Sequence, residues 1–232
     1  MPTISGIIVS TGTESAGRRV FSDVVDELAR PYAASDSTVR ALAADAFRAA
    51  VRTMNRKGLW PWEVQDEDIT LSDSVDKYTL SGPVKKQLAL HYINASGGVR
   101  DQSLVYVPYD RFLEEYNLNF TGDPQVYTIP NLFETGQLQL WPIPGGTDNM
   151  RFSYYRVTPA PRSDGETVEI PDYAIEVYMA YAWLELSKRL PAAQARLPIQ
   201  VAMAEARLAF RELSAHVVTV GDRSRMSMGR GY

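Results

Sequence analysis

From Pro171 to Leu190 the chain reads PDYAIEVYMAYAWLELSKRL, and apolar side chains recur on nearly every turn whichever face is taken. Tyr173, Val177, Tyr181 and Leu184 form one stripe at helical spacing. Ile175, Tyr178, Met179, Ala182, Trp183 and Leu186 widen it almost to a full circle. Pro171 suits a first helical position, Asp172 sits by the positive end of the helix dipole, and Pro191 stops the helix. Glu176, Glu185 and the polar end Ser187-Lys188-Arg189 make insertion into a bilayer costly. The segment therefore predicts a helix sheathed by protein on several sides, with no membrane as partner.

The remaining helical pattern supplies the sheath. Val24, Val25 and Leu28 share a side of a short helix over 21–30 that ends near Pro31. Ser35-Asp36-Ser37 offers caps for a longer helix reaching Lys57, with Gly58 as its stop. Within it Val39, Leu42, Ala43, Ala46, Phe47, Ala50, Val51 and Met54 follow the i, i+3, i+4 interval. A last helix after Pro198 carries Ile199, Ala202, Met203, Ala206, Phe210, Leu213 and Val217 on one stripe.

Between these halves the period changes to two. Residues 77–80, 87–93, 103–107, 125–129, 137–141 and 150–157 are short aromatic or β-branched runs, separated by turn sequences such as Ser81-Gly82-Pro83, Gly97-Gly98 and Gly145-Gly146. One helical turn interrupts them at Tyr109–Tyr116. The corner Leu59-Trp60-Pro61-Trp62 leads into an acidic run (Glu63, Asp66, Glu67, Asp68, Asp73, Asp76) that reads as a charged surface loop, since it lacks the EF-hand spacing of ligands and glycine. The predicted class is α+β. An antiparallel helical bundle from both chain ends, 20–58 and 171–217, carries an inserted antiparallel β domain, 59–170, built as a meander or small barrel-like sandwich. Residues 1–19 read as a flexible N-terminal arm and 218–232 as a flexible C-terminal tail.

Composition narrows the chemistry. The chain has 232 residues, no cysteine and a formal net charge of -4. Disulfides, thiolate zinc sites and cysteine nucleophiles are excluded, and the start of the chain shows no signal peptide. An acidic balance also argues against tight duplex DNA binding as the main task. No Walker sequence is present, and His91 and His216 have no triad partners in sequence. No catalytic residue, metal site or cofactor is predicted. A glycan hydrolase or glycan-binding β module on a helical stalk is the competing class, with Glu114-Glu115 or the acidic run as its carboxylates; neighbours on a short helix point apart, which weakens it. A nucleic-acid-binding module would stack bases on Tyr92, Tyr106, Tyr127, Phe152 and Tyr154, but these lack interleaved basic residues and suit a sheet core.

Two basic features stand out. Arg40, Arg48, Arg52 and Arg56 fall in register on the second helix, as either a solvated face or a channel-facing or partner-facing row. The tail TVGDRSRMSMGRGY sets Arg223, Arg225 and Arg230 against the single Asp222.

The order of elements resembles a known pattern. Helices ending in tryptophan precede a short β region, an apolar penultimate helix and a final amphipathic one. The local carriers are Pro124-Gln-Val-Tyr127, Gln137-Leu-Gln-Leu-Trp-Pro-Ile-Pro144, Met150-Arg-Phe-Ser-Tyr-Tyr155 and Ile170-Pro171-Asp172. Over residues 35–215 this resembles the head-to-tail adaptor (connector, tail-tubular or head-completion) proteins of tailed bacteriophages, of the short-tailed type. The resemblance implies a non-enzymatic virion protein made in the host cytoplasm and placed in the neck between capsid and tail. Its partners would be the portal ring, the tail nozzle or tail tube protein, further copies in a dodecameric ring, and packaged DNA passing without sequence specificity. On that reading Arg223, Arg225, Met226, Met228, Arg230 and Tyr232 are expected to dock on the portal. The loop tips Asn94–Arg100 and Gly145–Asn149 are expected to meet neighbouring subunits or the tail.

Overall fold

The structure, a computed structural model, describes residues 19–32, 37–93, 99–116, 119–134, 136–190 and 198–228. In chain order its elements are α1 (Phe21–Ala29), α2 (Ser37–Lys57), β1 (Val64–Thr70), β2 (Lys77–Thr79), β3 (Val84–Ile93), β4 (Val99–Ser103) and β5 (Val105–Tyr106). There follow α3 (Tyr109–Glu115), β6 (Thr121–Gly122), β7 (Val126–Thr128), β8 (Gln137–Trp141), β9 (Ile143–Pro144), β10 (Asn149–Arg156), α4 (Asp172–Arg189) and α5 (Ile199–Met228). Two units divide them. One runs over 63–157 and holds the strands and α3; the other combines the described residues before 63 with those from 158 onward and holds the four remaining helices.

In the helical unit α4 is the element the others cover. Ala174, Ile175, Val177, Tyr178, Met179, Ala180, Tyr181, Ala182, Leu184 and Leu186 are all buried, and α4 packs against α1, α2 and α5. Phe47, Ala50, Val51 and Met54 of α2 and Ala202, Ala206 and Leu213 of α5 join the same core. Burial of so many apolar side chains at once is the main force holding the unit together. Trp60 seals one corner, donating its indole N–H to the Met54 carbonyl at 3.2 Å and stacking on Trp62 at 5.3 Å.

The segment after residue 158 is fastened by polar contacts. Buried Asn55 holds Thr158 from both sides: its amide donates to the Thr158 carbonyl at 2.9 Å, and the Thr158 N–H donates to its oxygen at 3.2 Å. Arg48 donates to the carbonyls of Pro161 and Arg162 at 2.8 and 3.1 Å. The loop so held then caps α1, whose first N–H groups need acceptors: Phe21 donates to the Glu166 carbonyl at 2.8 Å and Ser22 to that of Asp164 at 3.0 Å. The Glu166 carboxylate in turn accepts the Arg162 N–H at 2.7 Å and the Ser163 hydroxyl at 3.3 Å. Those bonds, the Arg162 N–H first, hold its carboxyl below its ordinary value of 4.5.

The β unit is a sandwich. One sheet has the order β1-β10-β3-β4 and the other β2-β8-β7-β5. Alternate residues of both meet in one core: Leu90, Tyr92, Met150, Phe152 and Tyr154 from the first, Tyr78, Tyr127, Leu138 and Leu140 from the second. Val107, Phe112 and Val126 form a small satellite core under α3. Gly136 is needed where it stands, since a Cβ there would meet the Gly82 carbonyl oxygen at 2.3 Å. Lys85 and Glu63 are buried as an ion pair at 2.7 Å.

Three expectations are corrected. Asp66, Glu67 and Asp68 of the acidic run lie on the edge strand β1 and not in a loop, because these carboxylates find partners across the ladder with β10, whereas Asp73 and Asp76 do lie in the connection between β1 and β2. Asp68 takes Arg151 at 2.7 and 2.9 Å, Asp66 takes the Ser153 hydroxyl, and Glu67 takes the Tyr154 hydroxyl at 3.0 Å. The β unit is not wholly antiparallel: β5 pairs parallel with β7, and β6 with β9. The last helix does not end where its apolar stripe ends, and helical backbone continues through Met228. Residues 1–18 of the arm expected over 1–19, the caps Ser35 and Asp36, and the pair Gly97-Gly98 lie outside the described residues.

Two outcomes follow for the helical unit. Asn55→Ala removes both ties to a buried backbone and should cost about 2–3 kcal/mol in urea unfolding, whereas the exposed Arg52→Ala should cost less than about 0.5 kcal/mol. A group whose folded pKa is depressed stabilises above its unfolded value and loses that contribution as pH falls. The protection of the Phe21 and Ser22 amides, taken as their exchange relative to the intrinsic rate at each pH, should therefore be full above pH 4.5 and fall below it. In Glu166→Gln that acid-side loss of protection should be absent.

Candidate interaction surfaces

The titratable groups weighed for chemistry are placed apart or already engaged. The carboxylates of β1 are taken up as described. On α3, Glu115 pairs with Arg111 one turn away at 2.5 Å, and Glu114 is exposed. His91 lies on β3 opposite Arg151 and Ser103, while His216 of α5 lies in the other unit with its ring 5.3 Å from Tyr173. Among the described residues no three His, Asp or Glu side chains group as metal ligands, and none of the helices is long and apolar enough to cross a membrane. Of the aromatic residues weighed as base platforms, Tyr92, Tyr127, Phe152 and Tyr154 are core residues, and Tyr106 lies edge-on to Tyr127 at 5.5 Å. Burial pushes the phenols of Tyr127 and Tyr154 far above their ordinary value, so both remain neutral hydroxyls.

The arginine row of α2 divides in two. Arg40 pairs with Asp26 of α1. Arg48 lies over the Phe21 ring at 5.1 Å, pairs with Asp45 at 3.1 Å and clamps the 161–162 carbonyls. Both work inside the helical unit. Arg52 and Arg56 are exposed and take no ion-pair partner among the described residues, so they are the members of the row available to something else.

The portal-docking candidates Arg223, Arg225, Met226 and Met228 fall on the helical backbone of α5. Arg230 and Tyr232 lie outside the described residues, as does the loop over 94–98. The tip at Gly145–Asn149 joins β9 to β10 and is largely exposed.

Apolar exposure on α5 escaped the sequence reading. The packed stripe expected there is only partly packed: Ala202, Ala206 and Leu213 are buried, while Ile199 and Met203 are exposed. Opposite it lies a second stripe, Val201, Ala204, Leu208 and Ala215, facing solvent, with Leu208 56% exposed. The three-and-four spacing of that stripe was the signal available in the sequence. A further patch lies on the β unit, where exposed Phe120 stands 5.8 Å from Trp141, and Trp141 stands 4.7 Å from Tyr116.

Exposed apolar patches of this kind suit contact with other macromolecules. No curated relative matches the chain. A solved structure described as the neck of an empty GTA particle computed with C6 symmetry is similar at 16% identity and a TM-score of 0.27, over 81% of this chain and 85% of that one. The family model for the SU10 adaptor protein matches residues 21–231, which takes in α1 through α5 and all ten strands. By that match the chain belongs to the SU10 adaptor protein family.

Proposed function

We propose that this chain is a virion structural protein, a head-to-tail adaptor in the neck of a short-tailed bacteriophage. In this reading twelve copies form a ring under the portal, extend the DNA channel, help retain the packaged genome and provide the attachment site for the tail nozzle or tail tube. The chain is made in the host cytoplasm and acts mechanically, without a cofactor. The observation that carries the proposal is membership of an adaptor family along nearly the whole chain.

Physical features support the reading. A net charge of -4 favours a channel through which DNA slides, because few phosphates are neutralised and little counterion release rewards sticking. Repetition around a ring lets weak single contacts sum to a firm attachment. The end of α5, with Arg223 and Arg225, is the portal-facing element. Its arginines suit carboxylates, and Met226 and Met228 suit irregular apolar grooves, with Arg230 and Tyr232 completing the contact. Arg52 and Arg56 form the remaining basic surface toward the channel or a partner, and the Gly145–Asn149 tip serves a neighbouring subunit or the tail.

Co-sedimentation with purified portal rings tests the docking element. Deleting residues 218–232 should abolish binding, and Arg52→Glu with Arg56→Glu should leave it intact while reducing DNA retention in assembled particles. Unchanged binding after the deletion would reject the C-terminal end as the anchor.

A further inference from the structure

On α5 the solvent stripe Val201, Ala204, Leu208 and Ala215 is bordered by segregated charge. Glu205 and Glu212 stand along one flank, seven positions apart, so they return to the same side of the helix. Arg207 and Arg211 stand along the other, four positions apart. All four side chains are exposed, and none forms an ion pair among the described residues. Two arginines one turn apart with no acid beside them are mildly unfavourable in an isolated helix, an arrangement that an acidic neighbour would relieve.

We infer that this face of α5 is a contact between copies of the chain, in which the basic flank of one α5 lies beside the acidic flank of the next, the two helices running parallel. The charge order selects the geometry. An antiparallel pair related by a two-fold axis across the helices sets each flank against its own copy, acid on acid and arginine on arginine. Parallel neighbours set unlike flanks together. In register, Arg211 then lies within about 1.5 Å of its neighbour's Glu212 along the axis, and Arg207 within about 3 Å of Glu205. Val201 and Leu208 border the contact and lose water when it forms. Laid side by side, each copy uses its basic flank on one neighbour and its acidic flank on the other, so the contact is heterologous and propagates from copy to copy, as a closed ring requires. This rests on the ring reading above and deepens it by naming a surface and its partner, a second copy of this chain.

Complementary charge exchange tests it on the full chain. Arg207→Glu with Arg211→Glu makes both flanks acidic; Glu205→Arg with Glu212→Arg makes both basic. Native mass measurement at low salt should show the unaltered chain associating in proportion to concentration. Each double variant alone should associate at least about tenfold more weakly, the loss of two exposed pairs, and an equimolar mixture should recover association. The milder Arg207→Gln with Arg211→Gln, which adds no repulsion, should weaken association without abolishing it. Variants that associate as the unaltered chain does, a mixture that fails to recover, or an unaltered chain that stays monomeric at every concentration would overturn the inference. The adaptor reading is judged separately, by whether the chain is found in purified particles.

Discussion

Covering the apolar faces of α4 is the constraint from which the helical unit follows. A helix with only Glu176, Glu185 and its last few residues as polar relief cannot face water along its length, and it must draw cover from distant parts of the chain. That cover comes from α1 and α2 before the β unit and from α5 after it, so the chain has to leave the helical unit at residue 62 and return at 158. The return is secured at once by Asn55 on Thr158 and by Arg48 on the carbonyls beyond it. A loop that would otherwise carry unsatisfied backbone groups becomes the cap of α1.

The β unit solves a different problem. Its core is rich in tyrosine, and each buried phenol must find a partner or stay harmlessly neutral. Tyr78 donates to the Val75 carbonyl at 2.8 Å, Tyr92 to that of Pro124 at 3.1 Å, and Tyr154 to Glu67 at 3.0 Å. The last of these ties the core to the edge strand β1. Acidic side chains on an edge also discourage unwanted strand addition.

Much of this was legible in the sequence, for reasons that differ by element. The helices declare themselves because their apolar positions keep a 3.6-residue period, and the longer strands because theirs keep a period of two. β1 does not declare itself: Asp66, Glu67 and Asp68 have poor strand propensity, and what makes them a strand is Arg151 and Ser153, 83 and 87 positions away. The parallel pairs β5 with β7 and β6 with β9 involve strands of two or three residues, too short to carry a period. The four arginines of α2 share a side by spacing alone, yet Arg48 is claimed by a carbonyl 113 positions on. Spacing shows which residues can act together. Partners decide which remain free to do so.

A helical core around α4, an edge-protected sandwich and exposed charge along α5 are the features on which the proposed adaptor role builds. The direct test is the mass of purified portal rings before and after mixing with the chain. The account predicts a discrete heavier complex carrying a fixed number of copies, one complete ring of them. Portal rings whose mass is unchanged at saturating chain would contradict it.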